Sequence, residues 1–450
     1  MNALTAFIDG SNVYGSDDIT AKRLRALTDG LMKTHADYDN PILPTRRQCG
    51  FSTPPEGPKV PEELVAGDVR TIIQPSLASM HTLFIAEHNR IAKKLKEELQ
   101  RVNAFPSDPM DGDELIYQET RKIVGAVLQK ITYKDYLPII LGSEAMSAHN
   151  LDISGETDYD PNSDPSVMNE FATAAFRFGH SQIANGFQGA FTWPLRRHYF
   201  HRDPPHFADF FIVGNGPPGG RHWMDEMKGA SLQKCPKTDL IIGDAVRNFL
   251  FEEEDLPARN IQRGRDHGIP PYGVLRESCG LDPLDGSTKP KEIQEDVWDN
   301  VLKAYEGNAE DIDAFVGGLA EEAPVDGVVG PLFACIIGKQ FKNLLFGDRY
   351  FFTHSDQNKA RGLKKNTREA VQVRCLGDII CDNTAGATGL QQIQRNVFKE
   401  PDDESNNPNI RCVDIPAMDF SGIVQDFLGM HDFIKIICEL NNYKIKKNMF

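Results

Sequence analysis

Four stretches of the chain carry side chains whose types and spacing suit chemistry. Ala175-Phe176-Arg177-Phe178-Gly179-His180 sets a histidine among small and aromatic residues. Small residues let a flat group approach a helix, and an imidazole nitrogen is a favoured axial ligand for haem iron. A core histidine satisfied by its own hydrogen bonds is the other reading. Gly67-Asp68-Val69-Arg70 is a turn whose arginine reads as an ordinary ion-pairing residue. Residues 258–268 hold Arg259, Arg263, Arg265 and His267, which also suit a solvated helix face. Thr5, Phe7, Asp9 and Ser11 alternate along the chain. Oxygen ligands on an extended loop around calcium do so, and so do the two faces of a strand.

These residues need elements to hold them, and the apolar spacing is mostly helical. Apolar groups recur at helical intervals over 78–99 (Met80, Leu83, Phe84, Ile91, Leu95) and over 112–133 (Ile116, Ile123, Val124, Val127, Leu128, Ile131). Ser16-Asp17-Asp18 is a helix start. Further helices are predicted over 166–186, 239–253, 291–305, 309–319, 330–345 and 421–441, with a strand at 209–213. Pro/Gly-rich loops fall at 53–61, 203–220 and 321–331. No internal repeat or interdomain linker is visible. The reading is a mainly α protein with few short strands.

Composition limits the function. The 450 residues carry a net charge of −16. That charge is repelled by phosphate backbones, so nucleic acid is excluded as a natural partner. No apolar run approaches the roughly 20 residues that span a bilayer. The opening MNALTAFIDGSNVYGSD shows neither a basic nor a long apolar segment of the secretory kind. His81 and His88 lie seven apart on one helix face, and Glu87-His88 is no zinc motif. Eight cysteines without a C-x-x-C pair fit free thiols or a few disulfides equally well.

Taken together, and in this order, LTAFIDGSNVYGS, GDVR, SMHTLFIAEHNRIA, IVGAVLQKITYKDYLPIILG, FRFGH, LPARNIQRGRDHGIPPY, VGPLFACIIGKQF and IICDNT resemble the animal haem peroxidases over about residues 3–415. The resemblance implies a mainly α domain with haem between central helices. It assigns His180 as the iron ligand, Asn260 as partner of its other ring nitrogen, and Arg70 as the catalytic distal arginine. Arg177 and Arg263 are implied near the haem propionates. Thr5, Phe7 through its carbonyl, Asp9 and Ser11 are implied as calcium ligands. His267 is implied to pack a helix end rather than to react. Cys279–Cys335 and Cys381–Cys412 match family disulfides, which implies a secreted protein; Cys49, Cys235, Cys375 and Cys438 are left without partners.

The chain also departs from the family pattern. The distal histidine and its neighbouring calcium-binding aspartate belong upstream of Thr5, so the calcium set is expected to be partial. Ile73 stands where mammalian members carry a haem-linking glutamate, and Gln74 where myeloperoxidase has a linking methionine. Haem b is therefore expected to be held without a covalent bond. The expected division is a peroxidase domain over 1–420 and a helical tail over 421–450. The implied activity is oxidation of a small donor, a phenol or a halide, by hydrogen peroxide. The alternative is an inactive peroxidase-like adhesion or interaction module. The two differ in peroxide-dependent oxidation of a phenol.

Overall fold

The computed structural model describes residues 4–35, 42–52, 64–71, 73, 75–188, 192–194, 222–248, 250, 254–285, 288–355, 362–402, 404 and 407–429. The chain is mainly helical, as the apolar spacing predicts. The principal helices are α1 (Ser11–Tyr14), α2 (Asp18–Leu24), α3 (Pro75–Arg101), α4 (Pro109–Lys130), α5 (Leu137–Ala148), α6 (His222–Leu232), α7 (Leu256–Asp266), α8 (Tyr272–Ser278), α9 (Glu295–Ala304), α10 (Ala314–Ala320), α11 (Pro331–Gly347), α12 (Lys365–Gln372) and α13 (Leu376–Thr388). Strands are limited to two antiparallel pairs among the described residues. β1 (Gly186–Gln188) pairs with β2 (Thr192–Pro194), and β3 (Gln392–Gln394) with β4 (Asn409–Arg411).

The long antiparallel helices α3 and α4 form the frame. Asp108 caps α4, accepting from the amide of Met110 at 2.7 Å, and Pro109 supplies the fixed φ that suits the first helical turn. Leu83, Ile91 and Leu95 of α3 and Ile116, Ile123, Val124 and Val127 of α4 are buried in one continuous core. Burial of each such side chain contributes about 1.5–3 kcal/mol relative to exposure. α6 and α13 pack on α3. At the far end of α4 the backbone widens into a π turn, Ile131–Tyr136, before α5.

Three predicted helices are shorter than their apolar spacing suggests. The stretch 166–186 is a single turn, Asn169–Thr173, followed by a 3-10 helix, Ala175–His180, with the break at Ala174. The stretch 239–253 retains only Asp244–Arg247 as helix among its described residues. The stretch 309–319 splits into Ala309–Asp311 and α10, because Ile312 and Asp313 are extended. The strand expected at 209–213, the loops 53–61 and 203–220, Gln74 and Cys438 lie outside the described residues. The described part of the last predicted helix, 420–429, buries Ile423, Val424 and Phe427 in the main core, and Asp426 accepts from the amide of Thr367 at 2.8 Å.

Two disulfides form, Cys279–Cys335 between the ends of α8 and α11 and Cys381–Cys412 between α13 and the segment after β4. Both are the pairings that the resemblance implies. Cys49, Cys235 and Cys375 are free thiols. No described helix is long and apolar enough to cross a membrane.

Candidate functional site

The 3-10 helix explains how Arg177 and His180 come to act together. With three residues per turn, side chains at i and i+3 eclipse, so both reach toward α7. There they meet Asn260, the buried residue of α7 and 0% exposed. The Asn260 amide nitrogen lies 2.8 Å from His180 Nδ1, and its oxygen accepts from Arg177 Nη1 at 2.9 Å. Arg177 Nε also donates to the carbonyl of Ala172 at 3.0 Å. α7 is fixed at its start by Asp255, which accepts from the amide of Ala258 at 2.9 Å.

The electrostatics of this cluster are unusual. Burial, then the Arg177 charge, lowers His180 to about 4, so the ring is neutral at ordinary pH. A neutral imidazole is the form that binds a metal. Its Nε2 has no hydrogen-bond partner among the described residues. Burial, then the charge of Arg263, pushes the Arg177 guanidinium down as well. Neither Arg177 nor the exposed Arg263 makes an ion pair with a described carboxylate. Two uncompensated guanidiniums beside a neutral histidine suit a flat, carboxylate-bearing metal complex such as haem.

Arg70 is held by a different device. Asp68 grips it in two-pronged fashion, with Nε to Oδ1 at 2.9 Å and Nη2 to Oδ2 at 2.6 Å, and also accepts from the Arg70 amide at 2.8 Å. These bonds hold the Asp68 carboxyl below its usual range. The Arg70 side chain is 60% exposed. The turn rests on α1: a Cβ at Gly67 would fall 2.3 Å from the amide of Gly15 and the carbonyl of Ser11. Only glycine permits so close an approach.

The alternating residues near the start form a loop rather than a strand. Gly10, at φ 76°, turns the chain into α1. Thr5 Oγ1 lies 3.4 Å from the Phe7 carbonyl and 3.3 Å from Ser11 Oγ, and Asp9 accepts from the Ser11 amide at 2.8 Å. The four predicted ligands thus gather in one place. Asp9 is the one carboxylate among them, and no group of three or more His, Cys, Asp or Glu side chains converges among the described residues. The resemblance does not point to two residues that support this loop. Gln129 donates to the Ile8 carbonyl at 3.0 Å and to Asp348 at 3.2 Å. Burial, then the Asp9 charge, raises Asp348 to about 6. Long-range packing alone brings them there, and no local spacing signals it.

The two parts of the site are joined through α6. Ser76, in the first turn of α3 just after the Arg70 turn, donates to Glu226 of α6 at 2.6 Å. α6 also contacts β1, which begins six residues after His180. His267 caps α7 and is exposed, with Nδ1 2.9 Å from Asn169 Oδ1. His81 and His88 are buried in α3.

Three comparisons bear on this geometry. The family model described as animal haem peroxidase matches residues 1–398. A peroxidasin homolog of Caenorhabditis elegans is 34% identical over 430 residues, covering 90% of this chain and 31% of that protein. Myeloperoxidase of Mus musculus is 36% identical over 434 residues, covering 88% of this chain and 54% of its own length. The chain therefore spans about a third to a half of these relatives. Among solved structures, peroxidase A of Dictyostelium discoideum superposes with a TM-score of 0.71 at 30% identity, covering 88% of this chain and 71% of that one.

Proposed function

The chain belongs to the animal haem peroxidase family, and on that footing we propose that it uses hydrogen peroxide to oxidise a small donor, a phenol such as tyrosine or a halide. The observation that carries this reading is the neutral His180, bonded to the fully buried Asn260 beside two guanidiniums without carboxylate partners among the described residues. Haem, when bound, supplies the redox chemistry with peroxide.

His180 would hold the iron through Nε2. This requires the ring proton on Nδ1, facing an oxygen acceptor. Asn260 has that oxygen, which Arg177 engages in the structure. Propionate carboxylates would draw Arg177 and Arg263 toward themselves and free the Asn260 oxygen for Nδ1–H. Arg70 keeps its charge at any working pH, and a fixed guanidinium stabilises negative charge that develops on a departing peroxide oxygen. Ile73 has no carboxylate with which to form an ester, so no covalent link to haem would form at this position. Calcium would take Thr5 Oγ1, the Phe7 carbonyl, Asp9 and Ser11 Oγ, a hard-oxygen set. The two disulfides favour a secreted protein.

The test is spectroscopic. His180→Ala should abolish the Soret band of haem-reconstituted protein, and His267→Ala should keep it. A normal Soret band in His180→Ala would show that the ligand assignment is wrong.

A further inference from the structure

The core holds a phenol–imidazole pair that this reading leaves unused. Tyr14 ends α1 and His88 lies midway along α3; both are 0% exposed. Tyr14 Oη lies 2.9 Å from His88 Nδ1, and His88 Nε2 lies 2.8 Å from the Gly30 carbonyl oxygen. A carbonyl can only accept, so Nε2 carries the ring proton, Nδ1 presents its lone pair, and the phenol donates to it. Burial lowers His88 to about 4 and pushes the Tyr14 phenol well above its usual value. The resting pair is therefore a neutral O–H···N bond with a free base at one end.

Such a bond has a redox consequence. Loss of an electron from a phenol makes its O–H strongly acidic, and a charged phenol is costly in a dry core. A base already bonded to that proton removes the cost by accepting it as the electron leaves. Tyr14 also lies directly under the Arg70 turn, where a Cβ at Gly67 would come 2.9 Å from the Tyr14 amide. The pair thus adjoins the arginine side of the candidate haem site.

We propose that Tyr14 is a redox-active tyrosine: it gives up one electron while its hydroxyl proton moves to His88 Nδ1, leaving a neutral tyrosyl radical and an imidazolium still bonded to the Gly30 carbonyl. The oxidant is the hydrogen peroxide of the proposed reaction, acting through haem, so the inference rests on that reading. Two such electrons, with two protons taken up from solvent, reduce one peroxide to two waters. An electron from a donor and the proton held by His88 restore the phenol. Tyr117 provides an internal control. It meets the Tyr14 ring edge-on at 6.1 Å but makes no hydrogen bond to an imidazole.

The experiment is freeze-quench electron paramagnetic resonance on the full haem-loaded chain after stoichiometric peroxide, with the Soret band recorded on the same samples. A parallel set is treated with hexachloroiridate, an outer-sphere one-electron oxidant that needs no haem. A tyrosyl signal is expected in the wild type and in Tyr117→Phe, and its loss in Tyr14→Phe and in His88→Gln. Tyr14→Phe keeps the ring that packs the core, so its result stands even where His88→Gln fails to fold. A Soret band together with an undiminished signal in Tyr14→Phe, a loss in Tyr117→Phe instead, or no tyrosyl signal in the wild type under either oxidant overturns the inference. A missing Soret band together with a Tyr14-dependent signal under hexachloroiridate overturns the haem reading and leaves the tyrosine–histidine pair standing.

Discussion

Arg177 and Arg70 bear the same guanidinium and are held by opposite means. Arg177 is gripped by Asn260, 83 residues away in sequence, in a cluster closed by the buried face of α7. Arg70 is gripped by Asp68, two residues away, on a turn that leaves most of its side chain in solvent. The first arrangement exists only if the 3-10 helix and α7 pack correctly, so it is rigid and sensitive to its neighbours. The second is local and screened by water, so it holds little stability and stays free to answer a charge placed before it. In the proposed reading, one side fixes a metal ligand and the other responds to a reacting anion, and each has use for its own device.

Acid gives the largest expected effect and should strike both sides. His81 lies near Asp68 of the Arg70 turn, His180 lies on the Arg177 side, and burial first of all lowers each to about 4. The unfolded chain takes up these protons near pH 6.5 and the folded haem-free chain only near 4. Stability should therefore be complete above pH 6.5 and fall as the pH drops through that window, by up to about 3 kcal/mol for each histidine. Urea titrations of the haem-free protein at stepped pH check this, and a flat profile would show that the rings are not held neutral.

Arg70→Gln is expected to lower peroxide turnover by about 10²–10³-fold, the usual effect of losing one preorganised charge-stabilising donor. The Soret band should stay unchanged, since the change lies on the local, exposed side. Asn260→Ala should weaken haem binding by about 10–100-fold, as loss of a ligand's supporting hydrogen bond does. It should also cost the haem-free fold about 1–3 kcal/mol, because it strands His180 Nδ1 and an Arg177 hydrogen. Haem titration and chemical denaturation measure the two. Asp68→Asn should be the mildest, within about 1 kcal/mol of wild type in stability. If Asp68→Asn destabilises as much as Asn260→Ala, the contrast between a long-range and a local clamp collapses.

The sequence was most legible where order along the chain is itself the signal. The apolar spacing of 78–99 and 112–133 corresponds to α3 and α4, because recurrence of apolar groups at the helical interval is a local property of the chain. It failed at 166–186. The break at Ala174 and the tightening to a 3-10 helix leave no trace in local propensity, because Asn260 and Gln340, which accepts from the Met168 amide at 2.6 Å, approach from far along the chain. The alternation of Thr5, Phe7, Asp9 and Ser11 fitted a strand or a ligand loop equally. The positive φ of Gly10 and the support of Gln129 decide against the strand.

The sequence by itself determined the helical class, the residues able to do chemistry and, through motif order, the family. These depend on residue type and on spacing along one chain. Tertiary structure alone decided that Asn260 joins Arg177 to His180, that Gln129 and Asp348 support the Thr5–Ser11 loop, and that the hydroxyl of Tyr14 meets His88, 74 residues away. A hydrogen bond acts over about 3 Å, and no pattern along a sequence records which distant segments packing will bring that close.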